Sequence, residues 1–231
     1  MKIYGLQKMT LLDYPGRVAC TVFTGGCDFR CPFCHNFELA DGSADPVMEE
    51  EELFAFLEKR KGLLDGVAFT GGEPCLQKEL AGVMRKVKKM GFLVKLDTNG
   101  CHPGTLCDIL SERLADYVAM DIKNSPAKYA KTAGVSTIDI DVITQSIRLI
   151  MEKAPDYEFR TTVVDSLHEE ADFIAIGEWI RGAKRYFLQG FIDRDSVPEK
   201  GLKAPSIDAL HQYIEAVRPY VGAADLRGIE E

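Results

Sequence analysis

Residues 17–34 read RVACTVFTGGCDFRCPFC, an apolar, β-branched run at 17–23 that leads into three cysteines, Cys27, Cys31 and Cys34. The first part has the composition of a strand. The second is a C-x3-C-x2-C array with no fourth cysteine to complete it. Soft thiolates close in sequence select zinc, copper(I) or iron–sulfur clusters. Iron–sulfur cubanes normally take four cysteines. Three on such a cube leave one iron with an open position, and an open metal position is where chemistry happens. Three plainer readings stand beside this one. His35 could complete a structural zinc site, although structural zinc usually pairs its ligands across a long spacer and Cys34 and His35 are adjacent. Cys31-Pro-Phe-Cys34-His35 fits the pattern for covalent haem attachment, which usually follows export. The cysteines could also be plain buried or redox thiols.

The bulk composition narrows the class. A chain of 231 residues suits one domain, and a single α/β barrel of this size is ordinary. With 46% hydrophobic and 28% charged residues it can bury a full core. A net charge of −8 argues against a nucleic-acid or membrane-surface footprint. The N-terminal residues lack the apolar segment and cleavage site of a signal peptide, and no apolar run approaches the ~18 residues of a membrane span. The expected location is therefore cytoplasmic, where disulfides are rare. Seven cysteines in that setting point to metal or redox chemistry. Cys20, Cys75, Cys101 and Cys107 are scattered and read as small buried hydrophobes or incidental thiols.

Strand-like runs alternate with helical patterns along the rest of the chain. After the strand at 17–23, the pattern predicts strands at 66–70, 92–97, 117–122, 158–164 and 185–191. Helices are predicted at 50–61, 77–89, 105–113, 142–153, 169–181 and 207–217, the second with Leu80, Val83, Met84 and Val87 on one face. Six such units imply parallel βαβ connections, either a doubly wound sheet or an open barrel. The polar motifs favour the barrel, because nearly all of them fall at the C-terminal ends of strands, which in a β/α barrel converge on one mouth. The expected fold is α/β, a partial (β/α)6 TIM-like barrel of parallel strands, as a single domain over 1–231 with a cysteine loop at 24–37.

The strand-end motifs are weak singly and stronger together. Thr70-Gly71-Gly72-Glu73-Pro74 follows the second strand, and its paired glycines would let a ligand approach the backbone. Asp97-Thr98-Asn99-Gly100 follows the third, with Asn-Gly also a stock turn signal. Asp121-Ile122-Lys123 ends the fourth. Alternation places Asp121 and Lys123 on one side of the strand, as a pair facing one ligand or as a salt bridge.

Together, the cysteine loop, with Phe33 as the aromatic before its third cysteine, and the Gly-Gly-Glu motif resemble the radical S-adenosylmethionine (SAM) superfamily. The likeness extends over nearly the whole chain. Within that superfamily the chain looks like the glycyl-radical-enzyme activating enzymes. Gly5-Leu6-Gln7, Asp13-Tyr14-Pro15-Gly16-Arg17 and Phe23-Thr24-Gly25-Gly26-Cys27 are similar to activators of anaerobic ribonucleoside-triphosphate reductase. Asp97-Thr98 and Asp121-x-Lys123 are also similar to activators of pyruvate formate-lyase.

The resemblance implies a set of roles. Cys27, Cys31 and Cys34 would ligate a [4Fe–4S] cluster whose fourth iron is chelated by the amino and carboxylate groups of SAM. Gly71, Gly72 and Glu73 would hold the methionine amino group, and Asp121 and Lys123 the amino-acid end. Asp97, Thr98 and Asp121 would also line a monovalent-cation site. Phe33 would contact the adenine, with backbone from Phe187-Leu188-Gln189-Gly190-Phe191. A ribose partner is expected near the fifth strand, where His168 stands either for that role or as a solvent-facing loop residue. Arg160 could face the mouth or pair with a core carboxylate. The absence of a second cysteine cluster excludes activators with a ferredoxin-like insert, and the lack of a long C-terminal extension favours a protein substrate.

The implied reaction is reductive cleavage of SAM. Flavodoxin or ferredoxin would reduce the cluster, whose potential can fall to roughly −700 mV. The resulting 5′-deoxyadenosyl radical would take a Cα hydrogen from a glycine of a partner enzyme. No side chain need act as general acid or base, so no catalytic residue is named. Three other functions remain open: activation of another glycyl radical enzyme, radical SAM chemistry on a small molecule, and a non-catalytic zinc- or cluster-binding module.

Overall fold

The computed structural model describes residues 1–228. Its centre is a sheet of eight strands: β2 (Gly5–Thr10), β3 (Ala19–Thr24), β5 (Gly66–Gly71), β6 (Leu93–Thr98), β7 (Tyr117–Asp121), β8 (Tyr157–Val163), β9 (Tyr186–Gly190) and β10 (Ala224–Arg227). They lie in the order β10-β9-β8-β7-β6-β5-β3-β2, every neighbouring pair parallel except β2 with β3. A separate two-residue pairing joins β1 (Lys2–Ile3) to β4 (Met48–Glu49). The helices between them are α1 (Phe37–Asp41), α2 (Glu50–Glu58), α3 (Leu80–Lys89), α4 (Pro103–Ser111), α5 (Tyr129–Ala133), α6 (Ile140–Lys153), α7 (Glu170–Trp179) and α8 (Ile207–Val217). The six expected strands are all present, and the sheet is the expected mostly parallel α/β array.

Period-two alternation gives the sheet two unlike faces. Cys20, Val22, Val67, Phe69, Val94, Leu96, Val118, Met120, Phe159 and Leu188 join the main apolar core with Leu53, Val83, Met84, Ile147 and Phe173 from the helices. The intervening residues face the concave side. There Thr21, Phe23, Thr70, Asp97, Asp121, Arg160, Thr162 and Gln189 line a cavity of about 350 Å³ at the C-terminal ends of the strands. Below it Tyr14, Ala19, Tyr117 and Ala119 pack together and plug the base. Both faces are thus buried, which is why these strands read as nearly unbroken apolar runs.

Besides the two-residue strands β1 and β4, four elements escaped the sequence pattern. The antiparallel strand β2 (GLQKMT) has three exposed residues in a row and a register shift between Gln7 and Thr10, so it shows no clean alternation. At the opposite edge β10 (ADLR) is only four residues long. The short helices α1 and α5 span five residues each, too few for a periodic stripe. Helix boundaries moved for local reasons. Residues Pro74–Leu76 form a 3-10 turn, capped by the Glu73 side chain accepting from the Cys75 N–H, so α3 starts three residues later than expected. At α4 the helix begins at Pro103, whose fixed φ suits a first turn.

Candidate active site

The loop between β3 and α1 carries the cysteines, and main-chain hydrogen bonds hold it on several sides. Gly72 N–H donates to Thr24 O at 2.9 Å, Glu73 N–H to Gly26 O at 2.8 Å, and Gly26 N–H to Leu39 O at 2.7 Å. Arg30 N–H donates to Ala133 O, and Glu199 N–H to Pro32 O. The Arg30 guanidinium closes on the loop itself, donating to the carbonyls of Cys27 and Phe29. His35 stacks on Phe191 and meets Ile192 O at 2.7 Å. With its ring engaged there, His35 completes no set with the cysteines. Among the described residues, no three His, Cys, Asp or Glu side chains converge on a point where one metal ion would sit.

Two glycines explain how the chain packs so tightly here. A Cβ on Gly72 would lie 2.0 Å from Gly26 O, and one on Gly134 would lie 2.0 Å from Arg30 O. What approaches the Gly-Gly-Glu backbone is therefore the first turn of the cysteine loop. Gly71 is hemmed in the same way by Thr24. These glycines therefore have a packing role as well as lining the cavity.

Cys27, Cys31 and Cys34 all open onto the 350 Å³ cavity, with Phe33 beside them. Burial raises all three thiols, Cys31 to about 12. Cys27 Sγ accepts from Phe29 N–H at 3.4 Å and from Asn99 Nδ2 at 3.7 Å. Thiols on one cavity wall, met by N–H donors, form a donor set that fits a thiolate-bound cluster.

A row of alternating charge lines the same cavity. Arg160, on β8, bridges two carboxylates, reaching Asp121 on β7 through Nε and Asp97 on β6 through NH2 at 3.1 Å. Lys123 pairs with Asp121 at 2.8 Å, and buried Lys95 pairs with Asp97. Burial raises both carboxyls, but the Arg160 cation with Lys123 or Lys95 outweighs it and holds them below the usual range. Asp121 likewise holds the Lys123 ammonium above its ordinary value against the cost of burial. Asp121 and Lys123 thus form the salt bridge and face the cavity too. Arg160 does both things open to it. The monovalent-cation site implied by Asp97, Thr98 and Asp121 does not fit this arrangement. Fixed cations already meet both carboxylates, and Thr98 Oγ1 donates to Glu73.

Glu73 lines the cavity but is fully buried, and its carboxylate is engaged within the protein. Oε1 accepts from Cys75 N–H at 2.9 Å and Thr98 Oγ1–H at 2.8 Å, and Oε2 accepts from Asn99 N–H at 2.6 Å. Burial pushes its pKa up and these donors pull part of it back. His168 overturns both expectations for it. It is buried at 4% exposure, bonds through Nε2 to Lys123 O at 2.9 Å and through Nδ1 to the Val164 backbone, and does not line the cavity. It supports the β7 end from behind. Gln7 and Asp13, which belong to the quoted motifs, and Asn36, within the cysteine loop, also line the cavity without having been given a role, and Thr21 and Thr162 line it with no motif to announce them. The one available signal was parity, since Thr21 and Thr162 share the inward register of Phe23 and Arg160.

Comparison with known proteins agrees with this geometry. The profile of the radical SAM superfamily matches residues 21–175, from β3 into α7. The chain belongs to the radical SAM superfamily. With membership come a [4Fe–4S] cluster and SAM as cofactors and the enzymatic character of the family. This radical SAM chain is 29% identical over 233 residues to a Methanocaldococcus jannaschii protein named as a glycyl-radical enzyme activating enzyme, covering 98% of this chain and 96% of that one. It is 34% identical over 128 residues to the pyruvate formate-lyase-activating enzyme of Clostridium pasteurianum, covering 53% and 52%. Among solved structures, SuiB of Streptococcus suis bound to S-adenosylmethionine superposes with a TM-score of 0.70 at 14% identity, over 89% of this chain and 49% of that one. That likeness bears on the fold alone. Radical SAM neighbours of this kind share the partial barrel.

Proposed function

We propose that this radical SAM enzyme is an activator that installs a glycyl radical on a partner, with anaerobic ribonucleoside-triphosphate reductase the first candidate. Cys27, Cys31 and Cys34 hold the cluster in this reading. When bound, the cluster would supply the electron for reductive cleavage of SAM, chemistry that would be directed at a glycine Cα hydrogen of the partner. The chain's own residues bind and orient. The observation that carries the SAM site is that the row of Lys123, Asp121, Arg160 and Asp97 lines the same cavity as the three thiols. Alternating fixed charges in a partly buried site suit a zwitterionic amino acid, because each end finds a partner without burying a lone charge. In this reading Lys123 would receive the carboxylate, Gly71, Gly72 and Glu73 would border the amino end, and Phe33 would offer a ring for adenine. Similarity along nearly the full length to a protein named for glycyl-radical enzyme activation supports the choice of substrate. Flavodoxin or ferredoxin is the proposed donor and the cytoplasm the proposed location; among the described residues no helix is long and apolar enough to cross a membrane.

The test is anaerobic. The protein is reconstituted with iron and sulfide, reduced with dithionite, and given SAM with and without the reductase. The expected products are 5′-deoxyadenosine, lost on replacing any of the three cysteines by alanine, and a glycyl radical doublet on the reductase. Deoxyadenosine without a doublet on this or any other glycyl radical enzyme would turn the reading toward a small-molecule substrate. A cluster that never cleaves SAM, even with the partner present, would reject it.

A further inference from the structure

Asn99 was legible only as half of an Asn-Gly turn, yet its side chain is buried at 6% exposure beside a cluster ligand. Its amide orientation follows from its partners. Oδ1 accepts from Cys101 N–H at 2.8 Å, so Nδ2 points the other way, and among the described residues the acceptor it meets is Cys27 Sγ at 3.7 Å. The backbone of Asn99 is held in turn, because its N–H donates to Glu73 Oε2. A continuous chain of contacts therefore runs from the Gly-Gly-Glu carboxylate through Asn99 to the first cysteine.

We propose that Asn99 is a positioning residue that raises the reduction potential of the cluster through its Nδ2–H bond to Cys27, with Glu73 holding it in place. The inference rests on the assignment of Cys27 as a cluster ligand. Adding an electron to the cluster increases negative charge on its thiolates, and a donor aimed at one of them stabilises the reduced form more than the oxidised form. Asn99 is buried and Cys27 half-buried, so water competes less for the sulfur than at an open surface. The Phe29 N–H makes a second bond to the same sulfur that no side-chain substitution removes, so losing Asn99 shifts the potential without dismantling the ligand. Glu73 thereby acquires a task independent of any contact with SAM.

The experiment is an EPR-monitored redox titration of the reconstituted protein without SAM, comparing wild type with Asn99→Ala and Asn99→Asp. Asn99→Asp keeps an oxygen for the Cys101 N–H while losing the donor. Both variants should titrate at more negative potential than wild type, Asn99→Asp further because it adds charge. Midpoints equal to wild type at full iron loading would overturn the proposal. Should neither variant load, wild type carrying 15N only at the side-chain amide of asparagine decides it by pulsed EPR of the reduced cluster. A coupling that persists after Asn36→Gln, which removes the other labelled amide on the cavity, supports the bond, and its absence rejects it. Iron and sulfide content of wild type separates this outcome from failure of the cluster assignment itself, which would show as no bound cluster.

Discussion

Arg160 and Lys123 both pair with Asp121, and each can be tested by a single substitution. Asp97 and Asp121 have carboxyls held below the ordinary range, so their contribution to stability is complete above about pH 4 and is lost as pH falls through their folded values. Replacing Arg160 by Gln removes the cation common to both. Acid unfolding followed by circular dichroism should then begin at higher pH, with a loss of about 3 kcal/mol at neutral pH from two carboxylates left under-paired. An unchanged acid limb would mean that Lys95 and Lys123 suffice. Lys123→Ala should leave the cluster's iron content intact and weaken SAM binding by about 1.5–3 kcal/mol, the worth of a charged hydrogen bond. Equal SAM affinity by calorimetry would remove Lys123 from the binding site.

At the scale of elements, two contacts determine whether the barrel holds its shape. The β3–β5 pair closes at its C-terminal end only because Gly72 carries no side chain. Gly72→Ala should cost about 1–3 kcal/mol in chemical denaturation, since the obstructing atom is backbone and cannot rotate away. Gly82→Ala in α3, where a Cβ meets nothing within 4 Å, should stabilise by roughly 0.5–1 kcal/mol. The same sign for both would contradict the packing argument. The edge strand β10 is fastened by Arg227, which donates to both oxygens of buried Glu158 at 2.7 and 2.9 Å and stacks on Phe187. Tyr117 supplies the remaining bond at 2.6 Å. Arg227→Leu leaves that carboxylate without its cation and should cost about 3–5 kcal/mol. Burial raises Glu158, but Arg227 and Tyr117 presently hold it below the ordinary value. The loss should therefore shrink as pH falls and the carboxyl protonates, and a pH-independent loss would point instead to the stacking on Phe187.

For the molecule as a whole, the cavity couples stability to ligand. SAM at a hundred times its dissociation constant should stabilise the cluster-loaded protein by about 2.7 kcal/mol, read as a rise in Tm. A form lacking the cluster should gain less, because the thiol wall would then contribute no metal to the methionine end. Equal shifts in both forms would show that SAM is held by the charged row alone.

Local chemistry determined much of this protein before any packing was known. Alternating apolar runs specified the six parallel strands, because strands buried on both faces must be apolar through their length. The spacing of Cys27, Cys31 and Cys34 specified a loop with soft ligands, because residues so close in sequence cannot lie far apart. The motif residues Phe33, Gly71, Gly72, Glu73, Asp97, Asp121 and Lys123 all border one cavity for the reason the sequence allowed, namely that the C-terminal ends of parallel strands converge. Partner choice among buried polar groups was decided only in three dimensions. Arg160 lies 39 residues from Asp121 and 63 from Asp97, and nothing local told that it bridges them. Glu73 bonds across to Asn99, Asn99 across to Cys27, and His168 back to Lys123. Edge strands β2 and β10 likewise depend on neighbours distant in sequence. Each of these contacts satisfies a donor or acceptor with a group distant in sequence, and such pairings exist only after the sheet has assembled.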